Sequence, residues 1–183
     1  MNTYTARGWI IRSVKTQENS VESLVFTSDF GKIWVKVPGG AKSSSKLLSA
    51  CDIFREIEFS VAIAEGAYKG RLISARELSS FELLSGDFQR YVEVSRVCEL
   101  IDALTPYRMP SEKKYKLLGE CIKWIGFEDN YIFAKAYFFV QYLSVSGHGL
   151  QLGVCSDCRN IISECNFFLA TEGLVCRRCK SVE

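Results

Sequence analysis

Four cysteines, Cys155, Cys158, Cys176 and Cys179, stand as C-x2-C-x17-C-x2-C near the end of the sequence. A two-residue gap lets both thiolates of one pair face a single ion from a tight turn. A second pair completes a tetrahedron of soft sulfur ligands, the arrangement Zn2+ prefers. Four thiolates fill that shell and leave no position for water or substrate, so the spacing predicts a structural Zn2+ rather than a catalytic one. An iron–sulfur cluster also takes four thiolates and stays open at this point. A redox dithiol is disfavoured, because neither pair sits in a thioredoxin-like strand–helix context. His148, the only histidine, is not needed as a ligand. Cys51, Cys98, Cys121 and Cys165 stand singly among apolar neighbours and read as small buried hydrophobes, with Cys165 the one substitute ligand in reach.

The elements that must position this cluster change character along the chain. The first eighty residues read as strands. Gly8 to Lys15 is rich in β-formers and Ser23 to Thr27 follows a polar turn. Lys32 to Val37 then alternates, with Ile33, Val35 and Val37 on one face and Lys32, Trp34 and Lys36 on the other. Pro38 to Lys46 reads as a basic loop. Strands from about Phe54 to Ala64 and from Arg71 to Leu78 complete five, which predicts a small closed barrel of the OB type, with an SH3-like barrel as the alternative. From Asp87 the period becomes helical. Phe88, Tyr91, Val92, Ser95, Cys98 and Ile101 recur at three and four, ending before Thr105-Pro106. Ser111 caps a second helix carrying Tyr115, Leu118, Ile122 and Ile125, stopped by Gly126. A third helix, almost wholly apolar, is expected from Asp129 to Ser146 at the centre of a bundle. Asn166 to Leu169 and Leu174 to Val175 flank Glu172-Gly173 as a hairpin between the cysteine pairs. The expected fold is therefore α+β: an OB-fold barrel over residues 1–80, then a helical domain over 81–183 whose four-cysteine zinc-knuckle element spans 151–181.

Composition narrows the partners. The 183 residues carry a net charge of +2, too little to imply a polyanion partner. Residues 1–80 nevertheless hold 11 Lys and Arg against 8 Asp and Glu, and Arg7 to Lys46 has seven basic against three acidic side chains. That local excess hints at phosphate binding. The most apolar segment, Tyr131 to Val145, is too short for a membrane span and contains Lys135 and Gln141. With no signal-like N-terminal stretch, the cysteine pairs suggest a reducing cytoplasmic compartment.

In this order the parts resemble the RecO family of bacterial recombination-repair mediators. Thr27-Ser28-Asp29-Phe30-Gly31-Lys32 is similar to the family's turn between early strands, and Gly39-Gly40-Ala41-Lys42-Ser43 to its glycine-alanine-basic hairpin. Leu152-Gly153-Val154-Cys155-Ser156-Asp157-Cys158 and Gly173-Leu174-Val175-Cys176-Arg177-Arg178-Cys179 are similar to its two knuckles. The resemblance runs from about Arg7 to Lys180. It implies a non-enzymatic protein that binds single- and double-stranded DNA, anneals complementary strands and binds the C-terminal tail of single-stranded-DNA-binding protein. With RecR it would help load RecA, in the cytoplasm at the nucleoid. Two departures stand out: the resemblance implies further helices beyond the second knuckle, and the Pro38 to Lys46 loop carries only Lys42 and Lys46 where relatives often have arginine pairs. Weaker, more salt-sensitive DNA binding is the expectation.

A barrel that holds single strands needs cations along a groove and flat side chains on which bases stack. The expected DNA surface is Arg12, Lys15, Lys32, Trp34, Lys36, Lys42 and Lys46, with Arg159, Arg177, Arg178 and Lys180 as a secondary one. The alternative is a zinc-stabilised protein-interaction scaffold without direct nucleic-acid binding. No P-loop, GxSxG elbow or HExxH occurs in the sequence, and no catalytic residue is expected.

Overall fold

The computed structural model describes residues 2–16, 20–37, 52–79, 86–149, 153–162, 167–170 and 173–180. Strands β1 (Asn2–Lys15), β2 (Val21–Thr27), β3 (Gly31–Val37), β4 (Glu56–Ile63) and β5 (Lys69–Ser79) close into a barrel in the order β1-β2-β3-β5-β4. Closure depends on the length of β1. Its first half pairs with β4, from Asn2 opposite Ile63 to Trp9 opposite Glu56, and its second half pairs with β2, as far as Lys15 opposite Val21. A register shift between Ile10 and Arg12 bends the strand from one partner to the other. The remaining seam is parallel, with Trp34, Val35 and Lys36 of β3 opposite Lys69, Gly70 and Arg71 of β5. The alternation foreseen in β3 and β4 fills the barrel: Ile33, Val35 and Val37 meet Ile57, Phe59, Val61 and Ile63, with Ile10, Val25 and Leu72.

Alternation breaks down where both faces of the sheet are covered. Trp9, Ile10 and Ile11 are consecutive in β1 and all buried, as are Leu24, Val25 and Phe26 in β2. Two helices supply the cover: α1 (Phe88–Leu104) and α2 (Glu112–Phe127). A Cβ on Gly119 of α2 would come to 3.1 Å from the Trp9 indole, so this glycine lets the helix lie on the ring. Asp87 caps α1, its carboxylate accepting from the backbone N–H groups of Gln89 and Arg90, and the Ser111 hydroxyl caps α2 by accepting from Lys114 N–H. The buried stripe of α1 is Val94, Val97, Cys98 and Ile101. Phe88 and Tyr91, which the periodicity placed on it, are exposed instead, because the β-branched stripe one position round packs inward.

The third helix, α3 (Ile132–Val145), also departs from expectation. It starts after Asp129, which does not cap it: Ala134 N–H bonds to the Tyr131 carbonyl and Phe133 N–H to that of Asn130. Nor is it central. Ala134, Phe138 and Tyr142 are buried, whereas Ile132 is 71 % and Phe133 64 % exposed. One stripe of the helix is buried, and of the accessible side chains Tyr137 meets the Trp124 ring at 5.5 Å.

By contacts the chain divides into two compact units, Met1–Phe138 and Phe139–Glu183. The first includes α1 and α2 as well as the barrel. In the second unit β6 (Phe167–Ala170) and β7 (Gly173–Cys176) form an antiparallel hairpin, followed by the one-turn α4 (Arg177–Lys180). Among the described residues no helix is long and apolar enough to cross a membrane.

Candidate metal centre and nucleic-acid interface

The first cysteine pair sits in a turn built by its own backbone. Arg159 N–H bonds to the Cys155 carbonyl at 3.0 Å, Cys155 N–H to that of Asn160 at 2.9 Å, and Ile162 N–H to that of Gly153 at 3.0 Å. Ser156 ties this turn to β7, donating from its N–H and its hydroxyl to the Leu174 carbonyl. The second pair straddles the β7–α4 junction, and Cys176 N–H points at Cys155 Sγ, 3.3 Å away. All four Sγ atoms lie within 4.8 Å of one another, with Cys158–Cys176 at 3.8 Å and Cys176–Cys179 at 3.7 Å. A tetrahedron with metal–sulfur bonds of about 2.3 Å has edges of about 3.8 Å. The residues fit a four-thiolate metal.

The thiols also differ in acidity. Backbone N–H groups of Cys158 and Cys176 draw the Cys155 thiol down to about 6. Hydrogen bonds with the Cys158 and Cys176 sulfurs push the Cys179 thiol up to about 12. Cys98 and Cys121 behave as small hydrophobes: burial raises both, Cys121 to about 12, and the Cys121 thiol donates to the Ala134 carbonyl. Cys51 and Cys165 lie outside the described residues.

On the barrel, the expected DNA-facing residues separate. Lys32 is a correction. Its side chain is 3 % exposed, and its Nζ donates to Asp102 Oδ1 at 2.6 Å and to the Asp102 carbonyl. The same ammonium lies 4.6 Å from the Tyr107 ring centroid. Held in this way, it is withdrawn from any phosphate. Strand alternation placed Lys32 on the outer face, and the chain after α1 then covers it: Arg108 N–H bonds to the Lys32 carbonyl. Arg12 is exposed, with its guanidinium 3.6 Å from Asp102 Oδ2. Lys15 and Lys36 are exposed and Trp34 is half-buried, its indole N–H donating to the Tyr107 hydroxyl at 3.1 Å. Lys42 and Lys46 lie outside the described residues. Around the knuckles Arg159, Arg177, Arg178 and Lys180 are exposed, and Lys180 Nζ sits 3.8 Å over the Phe168 ring.

Sequence reasoning missed Lys69 and Arg71. Parallel pairing sets them opposite Trp34 and Lys36, and both are exposed, Lys69 lying 3.4 Å from Glu22. It also missed Tyr68 and Tyr107, whose rings meet at 5.2 Å. The Lys69-Gly70-Arg71 run after a turn was a visible signal; its neighbour across the parallel seam was not.

Why the Thr27-to-Gly31 turn has its sequence is now clear. The buried Thr27 hydroxyl donates to the Gly31 carbonyl and accepts from Phe30 N–H, both at 2.9 Å. Gly31 has φ +67°, and a Cβ there would meet the Met109 backbone at 2.6 Å. The turn therefore gives the Tyr107–Met109 segment its seat.

Comparison with known proteins divides the chain directly after the five-stranded barrel. Residues 1–81 match the family model "Recombination protein O N terminal" and residues 85–183 match "Recombination protein O C terminal". The chain is 25 % identical over 174 residues to the DNA repair protein RecO of Listeria monocytogenes, covering 94 % of this chain and 67 % of that protein. To the DNA repair protein RecO of Clostridium perfringens it is 29 % identical over 174 residues, covering 94 % and 70 %. For that of Halalkalibacterium halodurans the identity is 26 % over 176 residues, covering 96 % and 68 %. With both family models matched in order along a barrel, a helical segment and a four-thiolate cluster, the chain belongs to the RecO family of DNA repair and recombination proteins.

Proposed function

We propose that this chain works by binding rather than catalysis: a recombination mediator that holds DNA on an OB-type barrel and anneals complementary strands. With RecR it would assist RecA loading on single strands, engaging the tail of single-stranded-DNA-binding protein, in the cytoplasm at the nucleoid. The observation that carries the reading is the row of exposed cations on the barrel of a RecO-family chain. Lys36 and Arg71 face each other across the β3–β5 seam, beside Trp34 and Lys69. Arg12 and Lys15 extend the proposed surface and Lys32 leaves it, while Lys42 and Lys46, outside the described residues, are proposed for DNA binding from the sequence alone. Cations in a line neutralise phosphates without reading sequence, and an aromatic among them offers a base a flat partner.

The four thiolates support a structural Zn2+ held by Cys155, Cys158, Cys176 and Cys179. The ion would cross-link the first turn to the β7–α4 junction and, with its shell full, would offer no site for water. A second reading, a zinc-stabilised scaffold for a protein partner, draws on the exposed apolar start of α3, where Ile132, Phe133 and Tyr137 are accessible.

Fluorescence polarisation with a labelled single-stranded oligonucleotide, at a series of salt concentrations, separates the two. Engaging four to six phosphates gives a log–log salt slope of about −3 to −5. A slope near zero, or no binding, removes the DNA reading and leaves the scaffold. Annealing of complementary oligonucleotides without nucleotide should run faster than the spontaneous rate.

A further inference from the structure

At the β3–β5 seam the backbone brings together three aromatic side chains that lie far apart in sequence. Trp34 N–H bonds to the Tyr68 carbonyl at 2.8 Å, and Trp34 Nε1 donates to the Tyr107 hydroxyl. The Tyr68 and Tyr107 rings lie 5.2 Å apart with a 39° tilt. Tyr68 is 49 % and Tyr107 44 % exposed, and Trp34 is half-buried. Nothing in the barrel core requires these rings, since Ile33 and Val35 fill that space from the other face of β3.

The cluster is also held. Asp102 fixes the Lys32 ammonium, which lies against one face of the Tyr107 ring, and Tyr107 in turn satisfies the indole N–H. A ring with its polar edge already bonded loses little freedom when a flat ligand covers its face. Cations then surround it: Lys69 opposite Trp34, Lys36 opposite Arg71, and Arg108, whose guanidinium donates to the Ala67 carbonyl.

We propose that Trp34 and Tyr68 form a stacking platform for unpaired bases, with Lys36, Lys69 and Arg71 on the flanking phosphates and Lys32 and Tyr107 as positioning residues. The occupant is single-stranded nucleic acid. A duplex keeps its bases stacked on one another and offers these rings no face, so the platform gives this barrel a preference for single strands. An acidic polypeptide would use the cations and leave the rings idle. This proposal rests on the DNA-binding reading above.

The test is a polarisation titration of the full chain with oligothymidine, a duplex of equal length and an abasic oligomer of equal charge. Trp34→Ala and Tyr68→Ala should each weaken oligothymidine binding by about tenfold, while duplex and abasic binding stay within about twofold of the parent chain. Their salt slopes stay at the parent value, whereas the Lys36→Gln, Arg71→Gln double variant makes the single-strand slope shallower by about 1.4. Trp34→Phe keeps a flat ring and should retain most of the affinity, which guards against mere misfolding; Tyr68, in the exposed turn before β5, is a second guard. Should both alanine variants bind oligothymidine like the parent, the platform is overturned and DNA binding stands. The platform is also overturned if the parent binds the abasic oligomer as tightly as oligothymidine, or if polyglutamate displaces oligothymidine equally well per charge. A parent chain that binds no DNA overturns both readings.

Discussion

Replacing Asp102 by alanine should be far more damaging than replacing the lysine it holds. Asp102 is 23 % exposed and faces two cations, Lys32 at 2.6 Å and Arg12 at 3.6 Å, whereas the Lys32 side chain is 3 % exposed. Removing the carboxylate strands a buried ammonium whose remaining partners are a backbone carbonyl and an aromatic ring. Breaking a buried pair from that side costs about 3–5 kcal/mol. Lys32→Met keeps the volume and leaves Asp102 with Arg12 and some water, so its cost should be about 1 kcal/mol. With both groups gone no charge is stranded, and the Lys32→Met, Asp102→Ala chain should be more stable than Asp102→Ala alone by about 2 kcal/mol or more. The assay is equilibrium urea unfolding followed by tryptophan emission. Trp9, Trp34 and Trp124 all belong to the first compact unit, so the signal reports its unfolding. Equal costs for the two single variants, or a double variant no more stable than Asp102→Ala, would refute the stranded-charge argument.

Two further outcomes follow from the turns and the thiols. The chain should bind one Zn2+, and Cys155→Ser or Cys176→Ser should lose it together with amide-exchange protection of Gly173–Cys176; a metal-free double variant with full protection would contradict a structural ion. Gly31→Ala places a Cβ at φ +67° and against the Met109 backbone at 2.6 Å, so it should cost more than the roughly 1–2 kcal/mol of the backbone term alone, read as a lower urea midpoint. A cost under about 0.5 kcal/mol would show that the Tyr107–Met109 segment is not seated on this turn.

Several of these sites were legible because their signal is local. The thiolates of each pair have only two residues between them, and hairpin pairing of Phe167 with Cys176 needs only a short loop to bring the pairs together. Strand alternation in β3 and β4 named the barrel core directly, since period-two patterning follows from the pleat. The same alternation named Lys32 as an outer residue, correctly, and then misjudged its surroundings. Which outer positions stay in water depends on what packs over them, and Tyr107 arrives from 75 positions further along the chain. The helices show a similar limit. Val94, Val97, Cys98 and Ile101 compete with Phe88, Tyr91, Cys98 and Ile101 as the apolar stripe of α1, and only packing against β1 and α2 decides between them.

The amino-acid sequence by itself determined that there are five strands, that Ser111 caps a helix and that four thiols belong together, because each is specified within a few residues. Tertiary structure alone decided the composition of the barrel's charged surface. A parallel seam joins β3 to β5, so Lys69 and Arg71 come beside Trp34 and Lys36 with no turn to announce the pairing. A segment beyond α1 then buries one lysine of β3 and leaves another exposed. Charge on a strand is a property of its residues, but exposure of that charge belongs to whatever the rest of the chain lays across it.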